Sequence, residues 1–355
     1  MAEDARVNPD QESIAEREAR RFREKFQAKA RISIVGFSGA GKSSLFNRIL
    51  GRTVSEEPAG GMKGTTASRP EETQGFIIVD CPGYGAGSVT APDVVLKQTM
   101  DPHLVLQVLN GGEAVHDADV ALYRVLSRHV KTIVVLNKID ILDATELTEA
   151  EDSVLSKLAV PTDMFIPVSA RTGARVEKLV RLIVSLLPSG AKEGFLSKLE
   201  GHLTVKSEET ERIVNYYAGS AAVVGLSPIP FSDLVALFPL QVAMTLHVAL
   251  IYGHGDLPAK DAAGLVAGSL GTSFVFRYAA RQAVKFVPFL GSAVGAVTAF
   301  ASIQAYGRTI SWWFASGMKA PRESLSEYFK KEYARAEVEA KKMDFSKLKR
   351  EREGK

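Results

Sequence analysis

The sequence feature that most constrains this chain is a glycine-rich loop at residues 36–43, which reads GFSGAGKS. The loop follows an apolar run at 32–35 that is typical of a buried strand, and it leads into a helical pattern at 42–50. Glycines let the backbone wrap closely around an anion, and the helix N-terminus adds a partial positive charge. Because strand, loop and helix follow in the order that a phosphate-binding loop requires, we predict that residues 36–43 bind phosphate groups.

Two side chains of this loop carry specific chemistry. Lys42 can reach the β- and γ-phosphates of a nucleotide and neutralise charge during catalysis, and the Ser43 hydroxyl can bind Mg²⁺. The residues expected to hold the phosphates are Gly36, Ser38, Gly39, Ala40, Gly41, Lys42, Ser43 and Ser44. The loop therefore predicts a bound nucleotide with a magnesium ion.

Residues 31–188 alternate between strand and helix patterns. Buried strands are predicted at Ile32–Val35, Phe76–Val79, Leu104–Leu109, Thr132–Leu136 and Met164–Val168. Helices are predicted at Lys42–Leu50, Asp117–His129, Glu146–Leu158 and Ala174–Leu187. This alternation is typical of an α/β fold, in which a mostly parallel sheet carries helices on both faces.

Polar motifs follow the predicted strands, where such a sheet presents its ligand-binding loops. The strand at 76–79 is followed by Asp80-Cys81-Pro82-Gly83. Asp80 can hold a water molecule bound to Mg²⁺, and the Gly83 N–H can meet a γ-phosphate oxygen during catalysis. A turn with Asp and Gly is common, so this motif is a weak signal on its own.

Two further motifs indicate a guanine base. The Asp140 carboxylate of Asn137-Lys138-Ile139-Asp140 can accept hydrogen bonds from guanine N1–H and N2–H₂, which adenine cannot offer. Lys138 can lie along the base plane, and Asn137 can tie this loop to residues 36–43. The last strand is followed by Ser169 and Ala170, whose N–H can meet guanine O6. All four motifs in the correct order, each after a strand, are together a strong signal.

Composition limits the class of protein. At 355 residues the chain is long enough for two or three domains, and its net charge of +3 is too small to argue for nucleic acid. The single cysteine, Cys81, excludes an internal disulfide framework and fits a reducing compartment. The densely charged N-terminus has no apolar core segment, so we do not expect a secretory signal.

Residues 31–188 resemble a translation-factor-class small GTPase domain, close to the Era and TrmE group and similar to the immunity-related GTPases. The four motifs correspond to the first, third, fourth and fifth guanine-nucleotide motifs of that class. The resemblance implies GTP and GDP as ligands, Mg²⁺ as cofactor, and hydrolysis of GTP to GDP and phosphate. It also implies that Thr66 of Gly64-Thr65-Thr66 binds Mg²⁺ in the triphosphate state and acts in catalysis, with Thr65 as the alternative.

The sequence departs from this class at two positions. Tyr84 stands where Ras-like proteins carry the Gln that orients the attacking water, so we expect slow intrinsic hydrolysis that a partner subunit or dimerisation completes. Gly39 stands where potassium-activated members carry an Asn, which argues against potassium activation.

The second half of the chain contains long uncharged runs, at 213–232, 234–255 and 286–307. Each is long enough to count as a candidate membrane span, but prolines such as Pro239 are expected to break them. The spacings Gly291-Gly295 and Gly264-Gly268 predict close helix packing, either in lipid or in a tight soluble bundle. Both interpretations stay open. Residues 205–318 also resemble an uncharacterised membrane-associated helical domain found behind bacterial GTPase domains.

These patterns divide the chain into five regions. They are an N-terminal helix at 1–30, a GTPase domain at 31–188, a helical connector at 189–212, an all-α apolar domain at 213–318, and a charged helix at 319–355. Ser324-Leu325-Ser326-Glu327 is a capping-box pattern for that last helix, which we expect to be solvated and to pair with the N-terminal helix.

We predict a GTP-binding switch whose nucleotide state controls membrane association or self-assembly through the apolar domain. The partners this implies are guanine nucleotide, a membrane lipid and a second copy of the chain in a GTP-dependent homodimer, whereas nucleic acid is not expected. The expected location is the cytoplasm, with peripheral or integral attachment to the inner membrane. The alternatives are an Era-like ribosome- or RNA-assembly GTPase and a soluble GTP-dependent protein-interaction switch.

Overall fold

The chain divides into two compact units in this computed structural model. We call Phe26–Val205 the α/β unit, and Lys206–Lys355 together with Met1–Lys25 the helical unit. The structure describes residues 16, 20, 26, 30–52, 71–73, 76–81, 101–226, 233–267, 293–345 and 347. Of the predicted N-terminal helix, the described residues Glu16, Arg20 and Phe26 are helical.

The α/β unit is organised around a six-stranded sheet with the order β2-β3-β1-β4-β5-β6. The strands are β1 (Ile32–Phe37), β2 (Glu71–Thr73), β3 (Phe76–Cys81), β4 (Leu104–Asn110), β5 (Thr132–Asn137) and β6 (Phe165–Pro167). All neighbouring strands pair in parallel except β2, which runs antiparallel to β3. The predicted strands and the mostly parallel α/β architecture are therefore confirmed, while β2 was not predicted.

Five helices of this unit belong to the described part of the chain. They are α1 (Lys42–Leu50), α2 (Asp117–His129), α3 (Ala144–Leu158), α4 (Val176–Leu186) and α5 (Ala191–Lys198). Strands β1 and β5 are buried along their whole length, as expected for strands that have a neighbour on each side. The apolar face of α2 packs on β1 and β4 through Leu122 and Leu126, and that of α3 packs on β4 and β5 through Val154.

The helical unit contains five described helices. They are α6 (Leu203–Gly225), whose first three residues lie before the unit boundary, α7 (Asp233–Ile251), α8 (Ala259–Ala267), α9 (Ala293–Ala315) and α10 (Arg322–Ala340). The helical character predicted for this half is confirmed in the residues that the structure describes. No helix in the described part of the chain is both long and apolar enough to cross a membrane.

Helices α6 and α9 meet backbone to backbone at two glycines. A Cβ atom added to Gly225 would lie 2.6 Å from the Gly295 carbonyl oxygen, and a Cβ on Gly295 would overlap the Gly225 carbonyl oxygen. The close packing predicted for Gly295 is thus confirmed. It does not extend to Gly264, whose Cβ position has no described atom within 4 Å.

A buried polar network joins the same helices. The Gln304 side-chain amide of α9 donates to Asn215 Oδ1 of α6 at 2.7 Å, and the Thr245 hydroxyl of α7 lies 2.9 Å from the Tyr306 hydroxyl of α9. Burial of Tyr306 raises the pKa of its phenol well above the usual range. These bonds satisfy polar groups that would otherwise be costly inside an apolar bundle.

Arg308 of α9 ties three helices together. Its guanidinium bonds to Glu211 of α6 through Nε at 3.0 Å, and to Glu332 and Glu339 of α10 at 3.5 and 3.1 Å. The Arg308 side chain is 11% exposed. Burial raises the pKa of Glu339, but the bond and charge of Arg308 outweigh that effect and leave its pKa below the usual value.

Two local predictions for this unit are wrong. Pro239 does not end a helix, because α7 continues through it from Asp233 to Ile251. The capping box at Ser324 is not used, because α10 already begins at Arg322 with Pro321 at the N-cap position. The last helix buries one face through Leu325, Phe329 and Tyr333, and its pairing with the N-terminal helix stays a prediction. Helix α10 packs on α9, where the rings of Tyr328 and Trp312 stack at 4.7 Å.

Candidate functional site

The predicted motifs meet at one edge of the sheet, because the carboxyl ends of parallel strands lie together. In the β1–β3 register Asp80 lies beside Gly36, and in the β4–β5 register Asn110 lies beside Asn137. The phosphate-binding loop therefore leaves the sheet between the two strands that carry Asp80 and the guanine motif. This edge is where ligands bind in open α/β sheets.

Two glycines of the loop sit where side chains do not fit. A Cβ on Gly36 would overlap the carbonyl oxygen of Val108 in β4, so β1 and β4 approach closely only because residue 36 is glycine. Gly41 has a φ of 84°, and a Cβ there would overlap Nδ2 of Asn137. The loop thus packs its backbone directly against the neighbouring strands.

Lys42 begins helix α1 and turns back over the loop. Its Nζ donates to the carbonyl oxygens of Gly36 and Phe37 at 2.8 and 2.9 Å, and the side chain is buried. The ammonium group is therefore held inside the curve of the loop. Its contact with a β- or γ-phosphate stays a prediction.

Asn137 joins the phosphate-binding loop to the loop after β6. Its Nδ2 donates to the Ala40 carbonyl at 2.9 Å, and its Oδ1 accepts the Ala170 N–H at 3.0 Å. The first bond matches the role predicted for Asn137. The second differs from the prediction for Ala170, because this N–H is bonded to Asn137 and guanine O6 would have to share the donor.

Asp140 is held as an anion by its neighbours. The Ser169 hydroxyl donates to Oδ1, and Arg171 Nη2 lies 2.6 Å from Oδ2. The hydrogen bond from Ser169 lowers the pKa of Asp140 below its usual value, and Arg171 adds to the effect. An ionised carboxylate at this position can accept hydrogen bonds from guanine N1–H and N2–H₂.

Lys138 lies between Asn137 and Asp140 and has a left-handed backbone conformation, with a φ of 66°. This region is costly for residues other than glycine, and such strain is frequent at binding sites. The turn lets the chain leave β5 and begin the short helical turn Ile139–Ile141 that carries Asp140.

A cleft of about 680 Å³ lies between α1, the end of β5 and the loop after β6. Its lining residues come from the predicted motifs and from the C-terminal half of α1, and include Gly41, Ser44, Asn137, Lys138, Asp140 and Ala170. The cleft is large enough for a nucleotide base and sugar. The structure therefore brings these predicted residues together.

Arg48, Arg52 and Arg171 also line the cleft but were not predicted as site residues. Arg48 Nε donates to the Ala170 carbonyl at 2.7 Å, and its Nη2 donates to the Arg171 carbonyl. These contacts join residues 122 and 123 positions apart. The local sequence signal was only a basic residue in the last turn of the helix after the loop, which favours the helix dipole and points to no particular partner.

Magnesium would be held by oxygen atoms at the same edge. Ser43 lies in the first turn of α1, and Asp80 lies beside Gly36 in the strand register. Mg²⁺ prefers one or two protein oxygens together with phosphate oxygens, so this donor set fits the ion. The predicted residues Thr66 and Gly83 lie outside the described part of the chain, and so does the side chain of Asp80.

The comparison with known families agrees with this geometry. Residues 31–138 match the model of the family described as 50S ribosome-binding GTPase, and this segment runs from β1 to Lys138. The α/β unit contains a P-loop GTPase domain. The GTPase domain thus carries both the loop that binds phosphate in this class and the start of its guanine motif.

Two relatives match the GTPase domain. GTPase Der of Desulforudis audaxviator is 35% identical over 176 residues, which cover 46% of this chain and 38% of the relative. GTPase Era of Syntrophus aciditrophicus is 28% identical over 167 residues, which cover 45% of this chain and 54% of the relative. The chain therefore spans about half the length of these relatives or less.

Among solved structures, a single-residue variant of Aquifex aeolicus Era bound to GDP·AlF₄⁻ aligns with a TM-score of 0.36 and 24% identity, covering 55% of this chain and 68% of that one. The family match covers residues 31–138 and includes no residue of the helical unit. The resemblance of 205–318 to a membrane-associated domain, and that of the GTPase domain to immunity-related GTPases, stay predictions.

Proposed function

We propose that this protein binds GTP with Mg²⁺ and hydrolyses it to GDP and phosphate. The observation that carries the proposal is the convergence of the phosphate-binding loop and the guanine motif on one cleft, which is lined by Gly41, Asn137 and Asp140. The relatives Der and Era are GTPases by name, which supports the same activity.

The chemistry is an in-line attack of water on the γ-phosphate. Most of the catalysis comes from position and charge rather than covalent chemistry. Lys42 neutralises negative charge on the β- and γ-oxygens, and the loop backbone orients the phosphates. Ser43, Asp80 and Thr66 would hold Mg²⁺, which would neutralise negative charge on the phosphates. Gly83 would place its N–H on the γ-phosphate.

Nucleotide binding and phosphate release test this activity directly. We expect the full chain with Mg²⁺ to bind GDP at least 100-fold more tightly than ADP, and to release phosphate from GTP slowly over many turnovers. Lys42→Ala should lower GTP affinity and turnover by roughly 100-fold, because a charged phosphate contact is lost. Lys178→Ala, an exposed lysine of α4, is the matched control and should behave as wild type. Equal affinity for GDP and ADP would contradict the proposal.

We further propose that nucleotide state controls association with a membrane lipid or a second copy of the chain through the helical unit. The uncharged runs of the sequence support this role. Flotation with liposomes measures lipid binding, and light scattering measures self-association. Each is done with GDP and with a non-hydrolysable GTP analogue. No binding and no change of mass in either state would contradict this part and leave the GTPase activity intact.

A second candidate is an Era-like ribosome- or RNA-assembly GTPase. The description of the matching family as ribosome-binding favours it. Co-sedimentation with 50S particles in the presence of the GTP analogue, but not GDP, is the expected result for this role. Absence of the protein from the particle fractions in both states would exclude it.

A further inference from the structure

Arg48 holds the backbone of the loop that faces the base. Its guanidinium, on the last turn of α1, donates from Nε to the Ala170 carbonyl at 2.7 Å and from Nη2 to the Arg171 carbonyl. A planar guanidinium has two parallel donors in a rigid arrangement, which suits two consecutive carbonyl oxygens. The contact therefore fixes the orientation of the Ala170–Arg171 peptide as well as its position.

The Ala170 residue is held from both sides. Asn137 Oδ1 accepts its N–H at 3.0 Å, while Arg48 binds its carbonyl oxygen. Further along, the loop is closed on itself, since the Gly173 N–H donates to the Ser169 carbonyl at 2.8 Å and the Thr172 N–H donates to the Ser169 hydroxyl at 3.0 Å. Asn137 and Arg48 thus hold the Ala170 backbone, while Ser169 and Arg171 tie the same loop to Asp140.

Helix α1 links the two ends of the cleft through this contact. The helix begins with Lys42 at the phosphate-binding loop and carries Arg48 six residues later. Its end is anchored, because the Glu200 N–H donates to the Leu50 carbonyl at 2.6 Å and Arg52 pairs with Glu200 at 2.7 Å. A fixed helix gives the Arg48 guanidinium a fixed base from which to hold the loop.

We propose that Arg48 is a positioning residue for guanine recognition, which acts by holding the Ala170 and Arg171 backbone at the distance that O6 requires. The inference rests on the proposed nucleotide binding. This role differs from a general structural one. Loss of Arg48 should weaken the binding of ligands that carry O6 and should leave the contacts to the phosphates unchanged. ADP carries the same phosphates and an amino group in place of O6.

The test compares GDP and ADP binding by calorimetry in the full chain. We expect Arg48→Gln to weaken GDP binding about tenfold, to leave ADP affinity within twofold of wild type, and so to reduce the GDP-over-ADP preference about tenfold. Arg48→Lys keeps the charge but not the paired donors. Its GDP affinity should therefore lie between that of wild type and that of Arg48→Gln. Arg181→Gln, which removes an exposed ion pair with Glu177 on α4, is the matched control and should leave both affinities unchanged.

The inference is overturned if the GDP-over-ADP preference of Arg48→Gln stays within twofold of wild type. This holds whether both affinities are unchanged or both fall by the same factor, as a loss of fold stability predicts. Failure of the proposed function is a separate result, since the wild-type chain would then show no preference for GDP. Thermal melting of each ligand-free variant checks that the proteins compared are folded.

Discussion

At the scale of single residues, the proposed base-binding end of the cleft contains one carboxylate and the groups that hold it. Ser169 and Arg171 keep Asp140 ionised, and Asn137 and Arg48 hold the backbone opposite. The sequence predicted Asp140, Asn137 and Ser169 because they form short motifs after strands. It did not predict Arg48, because a contact across 122 positions leaves no local pattern.

Asp140→Asn should change the base that the protein prefers. The amide can still accept guanine N1–H but presents a donor to N2–H₂, so we expect GDP affinity to fall roughly 100-fold. Xanthine has an oxygen at C2, which the Asn amide can meet, so affinity for xanthosine diphosphate should rise. Competition binding with GDP and xanthosine diphosphate measures this change of preference. If both affinities fall together, Asp140 does not read the base.

The lowered pKa of Asp140 predicts a specific dependence of stability on pH. A carboxyl whose folded-state pKa is lowered contributes stability above its unfolded value of about 4, and loses it as the pH falls through the folded value. The free energy of unfolding of wild type minus that of Asp140→Asn should therefore be constant from pH 7 to pH 5 and decrease toward pH 3. A difference that stays constant down to pH 3, or that increases as the pH falls, would show that the pKa is not lowered.

At the scale of helices and strands, apolar periodicity predicted most of the α/β unit, because strands β1, β4 and β5 are buried and read as continuous apolar runs. Strand β2 was missed since its residues, Glu71–Thr73, are few and polar. Helix α7 was misjudged because proline in a sequence is a signal for the end of a helix, whereas α7 continues through Pro239.

Close packing of α6 on α9 predicts opposite effects for two glycine substitutions. Gly225→Ala should lower the free energy of unfolding by about 2 kcal/mol, because the new Cβ meets the backbone of Gly295, which cannot move aside. Gly264→Ala in α8 should raise it by roughly 0.5–1 kcal/mol, because alanine favours the helix and the Cβ position is open. Urea unfolding compares the two. Equal effects of both substitutions would contradict the glycine contact.

Arg308 should be the most sensitive charge of the helical unit. Arg308→Met leaves Glu211 and Glu332 without this cation and leaves Glu339 with Arg335, so we expect a loss of about 3 kcal/mol at pH 7. The loss should shrink toward pH 4, because the three carboxyls then take up protons and no longer repel. Arg335→Met, whose side chain is 66% exposed, is the control and should cost less than about 1 kcal/mol. A pH-independent loss for Arg308→Met would point to packing rather than charge.

At the scale of the whole molecule, a GTPase domain is joined to a helical unit whose core is apolar and contains a few paired polar groups. The family match covers residues 31–138, which lie in the α/β unit, and includes no residue of the helical unit. The helical architecture could be predicted from the uncharged runs. Its relation to a membrane could not, because an apolar bundle core and a lipid-facing helix have the same composition.

The proposed switch predicts that nucleotide state alters the helical unit. Hydrogen exchange of backbone amides in α6 and α9 should differ between the GDP form and the form with a non-hydrolysable GTP analogue, because a switch has to change the stability of the unit it controls. Lys42→Ala should remove the difference. Identical exchange in both nucleotide states of wild type would show that the helical unit does not respond to the GTPase domain.

Such experiments need a folded variant that does not bind GTP. The packing of Gly36 limits the choice of substitution for this variant. Because the β1 backbone at Gly36 lies against the Val108 carbonyl, a side chain there would force apart two central strands. A Gly36 variant that fails to bind GTP would therefore report a damaged sheet as much as a lost phosphate contact. Asp140 lies at the rim of the cleft on a short turn, so its substitution does not disturb the packing of the sheet. An Asp140 variant is therefore the better non-binding control.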